Sequence, residues 1–314
     1  MLRSRPVVLM YHRIADERVD PWGLAVTADR FDEQLAWLRR HRTVLPLVEF
    51  AERHGRGSLP ARAVAITFDD GYACNADVAA PLLEHHQLPA TMFLATETIV
   101  RGEEFWWDDL ERIVLDTGCD RLVLEHAGRE LVAELGPLSA TRMWSPREPA
   151  SGARQAAYLA LWSELRQLDD HSRRAAIGSL HEQSGVPVAP RATHRTMTVE
   201  QVRMLSRSGI VQVGAHTLTH PALSLWSKEQ QEHEVVAGRR ACAELTGVEP
   251  QSFAYPYGDY DQVTVDVVRR AGFRVACTTH RHAVSPSSQV WELPRVQVSN
   301  WSGRQLASAL RTVP

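Results

Sequence analysis

Two adjacent carboxylates sit in Ala65-Ile66-Thr67-Phe68-Asp69-Asp70-Gly71-Tyr72, where an apolar run passes without spacing into Asp69 and Asp70 and turns at a glycine. Neighbouring carboxylates repel each other unless something positive, such as a metal ion, holds them. A second fragment, Gly214-Ala215-His216-Thr217-Leu218-Thr219-His220-Pro221, supplies imidazoles at four-residue spacing. If one helical turn follows Ala215, His216 and His220 share a face. Two imidazoles and one carboxylate form a facial ligand set suited to Zn²⁺ or a similar divalent ion, with positions left for water and substrate. Asp70 is the third ligand in this reading. A third fragment is Ser252-Phe253-Ala254-Tyr255-Pro256-Tyr257-Gly258. Pro256 fixes φ and Gly258 permits a tight turn, which would hold the backbone N–H of Tyr257 rigidly, the kind of donor an oxyanion needs. Each fragment alone has a bland alternative: a common Asp-Gly turn, a surface helix with two histidines, a packed aromatic turn. Their joint placement at strand ends points to a hydrolytic metal site.

Those strand ends follow from the pattern of the chain. Val7 to Tyr11 reads as a buried strand, and Thr27 caps a helix in which Phe31, Leu35 and Leu38 form one apolar face. A short strand at Thr43 to Leu45, a helix from Leu47 to His54 and a turn from Gly55 to Pro60 lead into the strand Ala63 to Phe68. A helix from about Ala76 to His86 and a strand from Ala90 to Ala95 continue the alternation. The rhythm changes between about 100 and 195, with a helix at Phe105 to Leu110, a hairpin around Ala127-Gly128 and helical composition from Arg154 to Glu182. This reads as an insertion on the rim of one domain spanning 1–314. Strands at Ile210 to Gly214, Ser252 to Tyr255, Phe273 to Thr278 and Arg295 to Val298 then alternate with helices at Thr198 to Ser206, Lys228 to Leu245 and Tyr260 to Ala271. Parallel neighbours need crossovers, so seven or eight such strands imply an α/β fold with a closed or nearly closed barrel.

With 44% hydrophobic and 23% charged residues the 314-residue chain can bury a full core, and its net charge of -3 gives nucleic acid or an anionic membrane no electrostatic purchase. The run Val7-Val8-Leu9-Met10 is too short for a signal-peptide core or a membrane span. Cys74, Cys119, Cys242 and Cys277 are scattered with no Cys-x-x-Cys pair, and a cytoplasmic setting is expected.

Thr67-Phe68-Asp69-Asp70-Gly71, His216-Thr217-Leu218-Thr219-His220 and Phe253-Ala254-Tyr255-Pro256-Tyr257-Gly258, in this order, resemble the first three motifs of the polysaccharide deacetylases, carbohydrate esterase family 4. The resemblance covers roughly residues 5 to 100 and 196 to 300 and leaves the insertion outside. It implies a distorted (β/α) barrel and metal-dependent removal of acetyl groups from amino sugars. It also implies Asp69 as general base, Asp70, His216 and His220 as ligands of one divalent ion (zinc, with cobalt, nickel or manganese as alternatives), and Tyr257 as backbone donor to the oxyanion.

Two departures from the family pattern stand out. Many members carry an arginine in the third motif where this chain has Ala254; Arg295, in Leu293-Pro294-Arg295-Val296, is the candidate to supply that charge. The late leucine-x-histidine motif that supplies a general acid is missing. His12, on a Tyr11-His12 step like that of circularly permuted members, is the candidate, with His280 and His282 as alternatives. Tyr255, Trp106 and Trp107 are the candidates for sugar contact, with Asp108 beside them for hydroxyls; an aromatic pair at a helix start also suits a core. His85, His86, His126, His171, His181, His194 and His233 show no ligand pattern and read as surface or packing residues. The expectation is a metal-dependent N-deacetylase acting on an N-acetylated sugar in a glycan, a glycoconjugate precursor or a small glycoside. A deformylase or cyclic-amide hydrolase and a non-catalytic glycan-binding protein are the alternatives.

Overall fold

The computed structural model describes residues 5–138 and 144–314, so Met1 to Ser4 of the N-terminal stretch lie outside the described residues. The chain divides into two compact units, one formed by 1–16, 25–102 and 196–314 and the other by 17–24 and 103–195.

Among the described residues the first unit is built on eight parallel strands. In spatial order they run Val275–Cys277, Ser252–Ala254, Val211–Ala215, Ala90–Leu94, Ala63–Phe68, Val7–Tyr11 and Arg295–Gln297, with Thr43–Val44 paired beside the start of Ala63–Phe68. A parallel bridge between Cys277 and Leu293 draws the two end strands toward each other, and the sheet becomes a nearly closed barrel. Strand alternation then sorts side chains by face. Val7, Leu9 and Tyr11, and Val64, Ile66 and Phe68, belong to one apolar cluster that includes Phe31, Leu35 and Leu38 of the helix Ala28–His41. Val8, Ala63 and Ala65 belong to a second cluster with Phe93, Ala254, Val275 and Cys277. The second face is lined by smaller residues, as the inside of a small barrel requires.

Several elements depart from the sequence expectation. The helix expected from Ala76 begins as a π-helical turn, Asn75–Ala79, before continuing as Ala80–His86. The two-residue strands Arg13–Ile14 and Ala25–Val26 pair with each other, and a last helix, Gly303–Ala309, follows an N-capping Ser302. Such short pieces carry too few residues for a period to show.

The second unit holds the helices Trp106–Leu115, Ala153–Gln167 and Asp170–Ser184 and the antiparallel hairpin Arg121–His126 with Arg129–Glu134. Its two-residue turn places Ala127 (φ 50) and Gly128 (φ 75) in the left-handed region, the geometry that matches strand twist. Trp106 and Trp107 correct the expectation of a sugar platform, since they are only 8% and 6% exposed. Trp107 stacks on Phe105 at 4.5 Å, and Trp106 meets Trp162 at 5.9 Å with the Arg173 guanidinium over its ring. They are core residues of this unit, where aromatic area contributes most to stability.

Close approach in the barrel makes a direct test of this packing possible at Gly214. A Cβ there would lie 2.4 Å from the Phe93 ring and 2.7 Å from Ser252 Oγ, both enclosed. Gly214→Ala is expected to destabilise the protein by about 1–3 kcal/mol, read from chemical or thermal unfolding.

Candidate metal and acid–base site

The inward series on Ala63–Phe68 runs Ala63, Ala65 and Thr67, and the next inward position is Asp69. Asp69 extends the strand register by donating its N–H to the Tyr11 carbonyl at 3.0 Å. Asp70 then takes φ 74 and Gly71 φ 97, so the chain turns away at once. A side chain at Gly71 would meet Ile99 at 2.8 Å. This sharp turn is what lets two consecutive carboxylates face different partners.

Asp69 faces Arg295. Arg295 pairs in register with Val8, which belongs to the inner cluster, so its side chain rises inside the barrel. Its Nη1 donates to Asp69 Oδ1 and its Nη2 to Oδ2, both at 2.6 Å, while Nε donates to the Thr278 carbonyl at 2.8 Å. Arg295 is 0% and Asp69 2% exposed. Burial by itself would push the Asp69 carboxyl up; the Arg295 charge, aided by His216 and the bidentate hydrogen bonds, outweighs it and holds the group below its ordinary range. His12 Nε2 lies 4.0 Å from Asp69 Oδ2.

Asp70 faces the two histidines. The helical turn expected after Ala215 does not form: Thr217 (φ 66) and His220 (φ 60) are left-handed, and Thr217 Oγ1 accepts the His220 N–H at 3.0 Å. The loop still brings the imidazoles together, with Nε2 of His216 and Nε2 of His220 3.1 Å apart. Asp70 Oδ1 is 3.5 Å from His216 Nε2 and 3.4 Å from His220 Nε2. His216 Nδ1 is 2.7 Å from the Ala254 carbonyl, which can only accept, so Nδ1 carries the proton and Nε2 offers its lone pair. Metal–ligand bonds of about 2.0–2.2 Å at tetrahedral angles separate donors by about 3.3–3.6 Å, close to the edges of this triangle, so the three residues fit one divalent ion. Burial acts to raise the Asp70 carboxyl, but the neighbouring His216 and His220 imidazoles prevail and leave it far below the usual carboxylate range.

Tyr257 adopts φ 58 within Pro256–Gly258, and its ring meets the His220 ring edge-on at 4.5 Å, beside the ligand set. Asp70, Thr217, His220 and Tyr257 are thus four of the six non-glycine residues at positive φ among those described, and Thr217 is β-branched. Left-handed backbone costs such residues about 1–2 kcal/mol each, a cost that the surrounding hydrogen bonds must offset. Tyr255 corrects another expectation. It is fully buried, stacks on Tyr260 at 4.6 Å and donates its hydroxyl to the Trp291 carbonyl at 2.8 Å, so it packs the barrel and offers no surface to a sugar. His280 and His282 are exposed on a groove of about 830 Å³ lined also by Arg5, Pro6 and Pro314.

A second trio of potential ligands, Asp108, Glu111 and His194, is buried in the second unit. There the Arg191 guanidinium reaches Glu111 at 3.4 Å, so one carboxylate of the trio already has a positive partner. His194, read from the sequence as having no ligand pattern, is 2% exposed and lies within this trio.

Comparison with known proteins gives a family model described as "Polysaccharide deacetylase", matching residues 56–120 and 176–276. A poly-β-1,6-N-acetyl-D-glucosamine N-deacetylase of Escherichia coli (strain K12) is 24% identical over 298 residues, 94% of this chain and 36% of that protein. An enzyme of the same name from Staphylococcus epidermidis is 40% identical over 112 residues, 31% of this chain and 38% of that protein. The chain therefore spans little more than a third of these curated relatives. The Streptococcus pyogenes deacetylase PplD in complex with acetate superposes with a TM-score of 0.62 at 18% identity, covering 98% of this chain and 99% of that one. IcaB from Ammonifex degensii gives 0.59 at 19%, covering 98% of each chain. At these identities the likeness is one of fold.

The Asp69–Arg295 pair sets a pH expectation. Without Arg295, burial acts unopposed by its charge, the Asp69 carboxyl rises, and the ionised fraction is lost at a higher pH. Arg295→Ala should move the acid limb of kcat/KM to higher pH and cost about 3–5 kcal/mol of stability. Arg295→Lys, which keeps the charge but not the fork, should shift the limb less; an unmoved limb in both variants would show that Arg295 does not govern Asp69.

Proposed function

The chain belongs to the polysaccharide deacetylase family, and on that footing we propose that it hydrolyses the N-acetyl group of an amino sugar within a glycan, releasing acetate and a free amine. The observation that carries this reading is the pairing of two buried sets at adjacent residues: Asp70 with His216 and His220, and Asp69 with Arg295.

Asp70, His216 and His220 are the residues that would hold the ion; their nitrogen-rich set suits zinc first, with cobalt, nickel or manganese as alternatives. When bound, a divalent ion supplies a Lewis acid for the amide carbonyl and acidifies water. Asp69 enters the reaction ionised and accepts the proton of the attacking water at a carboxylate oxygen. Arg295 grips both oxygens, so the carboxylate cannot rotate away from that proton. The backbone N–H of Tyr257 donates to the carbonyl oxygen as negative charge grows on it. As the C–N bond breaks, His12 delivers a proton to the leaving nitrogen, and its place 4.0 Å from Asp69 Oδ2 supports that role over the exposed His280 and His282.

The names of the E. coli and S. epidermidis relatives support β-1,6-linked N-acetylglucosamine as the first substrate to test. Cytoplasmic residence, read from the cysteine pattern, remains part of the proposal and keeps soluble or lipid-linked oligosaccharides beside the polymer. Among the described residues no helix is long and apolar enough to cross a membrane.

The test is to incubate the metal-loaded protein with β-1,6- and β-1,4-linked N-acetylglucosamine oligomers and with simple N-acetylglucosaminides, and to follow freed amine by mass. Chelation and Asp69→Asn should each abolish turnover, and activity surviving both would overturn the mechanism. His12→Ala should lower kcat about 10²–10⁴-fold. Loss on His280→Ala with His12→Ala near normal would reassign the acid.

A further inference from the structure

The histidine loop has no periodic structure of its own to hold it, yet it adopts two left-handed residues in four positions. What it leans on is the helix Lys228–Thr246. Glu234, on the buried face of that helix and 4% exposed, accepts the N–H of Leu218 at 3.0 Å and of Thr219 at 2.9 Å on Oε2. Its Oε1 accepts the Thr219 hydroxyl at 2.7 Å. One buried carboxylate thus gathers three donors from the two residues that lie between Thr217 and His220. One helical turn further on, Gly238 lets the loop backbone lie directly against the helix: a Cβ there would come within 2.5 Å of the Thr217 carbonyl carbon and 2.8 Å of the Leu218 nitrogen. The loop also closes back on the barrel, where the Leu218 carbonyl accepts the Glu97 N–H at 2.9 Å.

We propose that Glu234 is a positioning residue that sets the metal affinity of this site, by clamping Leu218 and Thr219 so that His216 and His220 present their Nε2 atoms to the same point as Asp70. The proposal rests on the reading of Asp70, His216 and His220 as metal ligands. Glu234 touches none of the three. It acts on the backbone between the histidines, whose left-handed Thr217 and His220 would otherwise relax toward ordinary conformations and separate the imidazoles. A carboxylate suits the task better than an amide because both oxygens accept, and three donors converge on it. Neither its position in the helix nor any motif marks Glu234 for this role; the sequence signal is a glutamate in the same buried stripe as Val235, Gly238 and Cys242.

The test is a metal titration. Zinc dissociation constants are measured by competition with a chromophoric chelator for the wild type, Glu234→Ala, Glu234→Gln and Gly238→Ala, with His216→Ala as the ligand control. Glu234→Ala should weaken zinc binding about 10–100-fold. Glu234→Gln, which retains one accepting oxygen, should fall between it and the wild type. The turnover of Glu234→Gln should return toward the wild-type plateau as zinc is raised, because Glu234 meets no reacting atom. Folded Glu234 variants with wild-type zinc affinity would overturn the proposal, as would a lowered plateau at saturating zinc. If the wild type binds no more zinc than His216→Ala, the metal-site reading itself fails, an outcome distinct from the first two.

Discussion

Two consecutive carboxylates are buried in this barrel, and each must stay ionised without repelling the other. That constraint organises the first unit. Burial penalises both charges, and the structure answers with two different partners, a guanidinium for Asp69 and a pair of imidazoles for Asp70. The division requires the chain to reverse its facing within one peptide unit, which is why Asp70 sits at φ 74 and why a glycine follows with its Cβ position blocked by Ile99. The different chemical environments then become different chemical capacities: Asp69 is gripped on both oxygens and kept ionised, and Asp70 completes a triangle of donors.

The barrel makes room for this arrangement by keeping its interior small. Ala63, Ala65 and Ala254 line the inner face, and Arg295 occupies space that apolar side chains would otherwise fill. A fully buried arginine is costly to desolvate and persists only when its donors are engaged. Here Nε, Nη1 and Nη2 all have acceptors, from Thr278, Thr67 and Asp69, and the ring of Phe93 lies 5.6 Å from the guanidinium carbon. Many members of the family that these motifs resemble carry an arginine in the third motif. This chain has Ala254 there and delivers the charge from the strand Arg295–Gln297 instead.

Backbone strain is concentrated where the chemistry is. Asp70, Thr217, His220 and Tyr257 share the left-handed region although none is glycine. Local hydrogen bonds hold each segment: Thr217 Oγ1 on the His220 N–H, Glu234 on Leu218 and Thr219, and the Tyr255 carbonyl on the Gly258 N–H. The second unit is organised differently, around an aromatic core in which Trp22 meets Trp162 at 4.9 Å and donates to the Tyr158 hydroxyl, with buried ion pairs from Arg191 to Glu104 and Glu111.

The sequence by itself determined the strands that carry the candidate site and named the residues that the structure gathers there. Val7 to Tyr11 and Ala63 to Phe68 were legible because apolar runs bounded by turn residues are local, and so were Asp69, Asp70, His216 and His220, which sit in short motifs at strand ends. The loop that replaces the helical turn expected after Ala215 was not legible, because left-handed Thr217 and His220 are imposed by a helix that packs from elsewhere in the chain. Trp106, Trp107 and Tyr255 could be named as aromatic but not as buried, since enclosure is a property of neighbours and not of residue type. Arg295 could be named as a candidate from the family resemblance, but only the tertiary structure decided that it grips Asp69 across 226 residues and that Glu234 holds the histidine loop. Contacts of that range leave no periodicity or spacing in the sequence, because they exist only once the parallel strands have been brought into register.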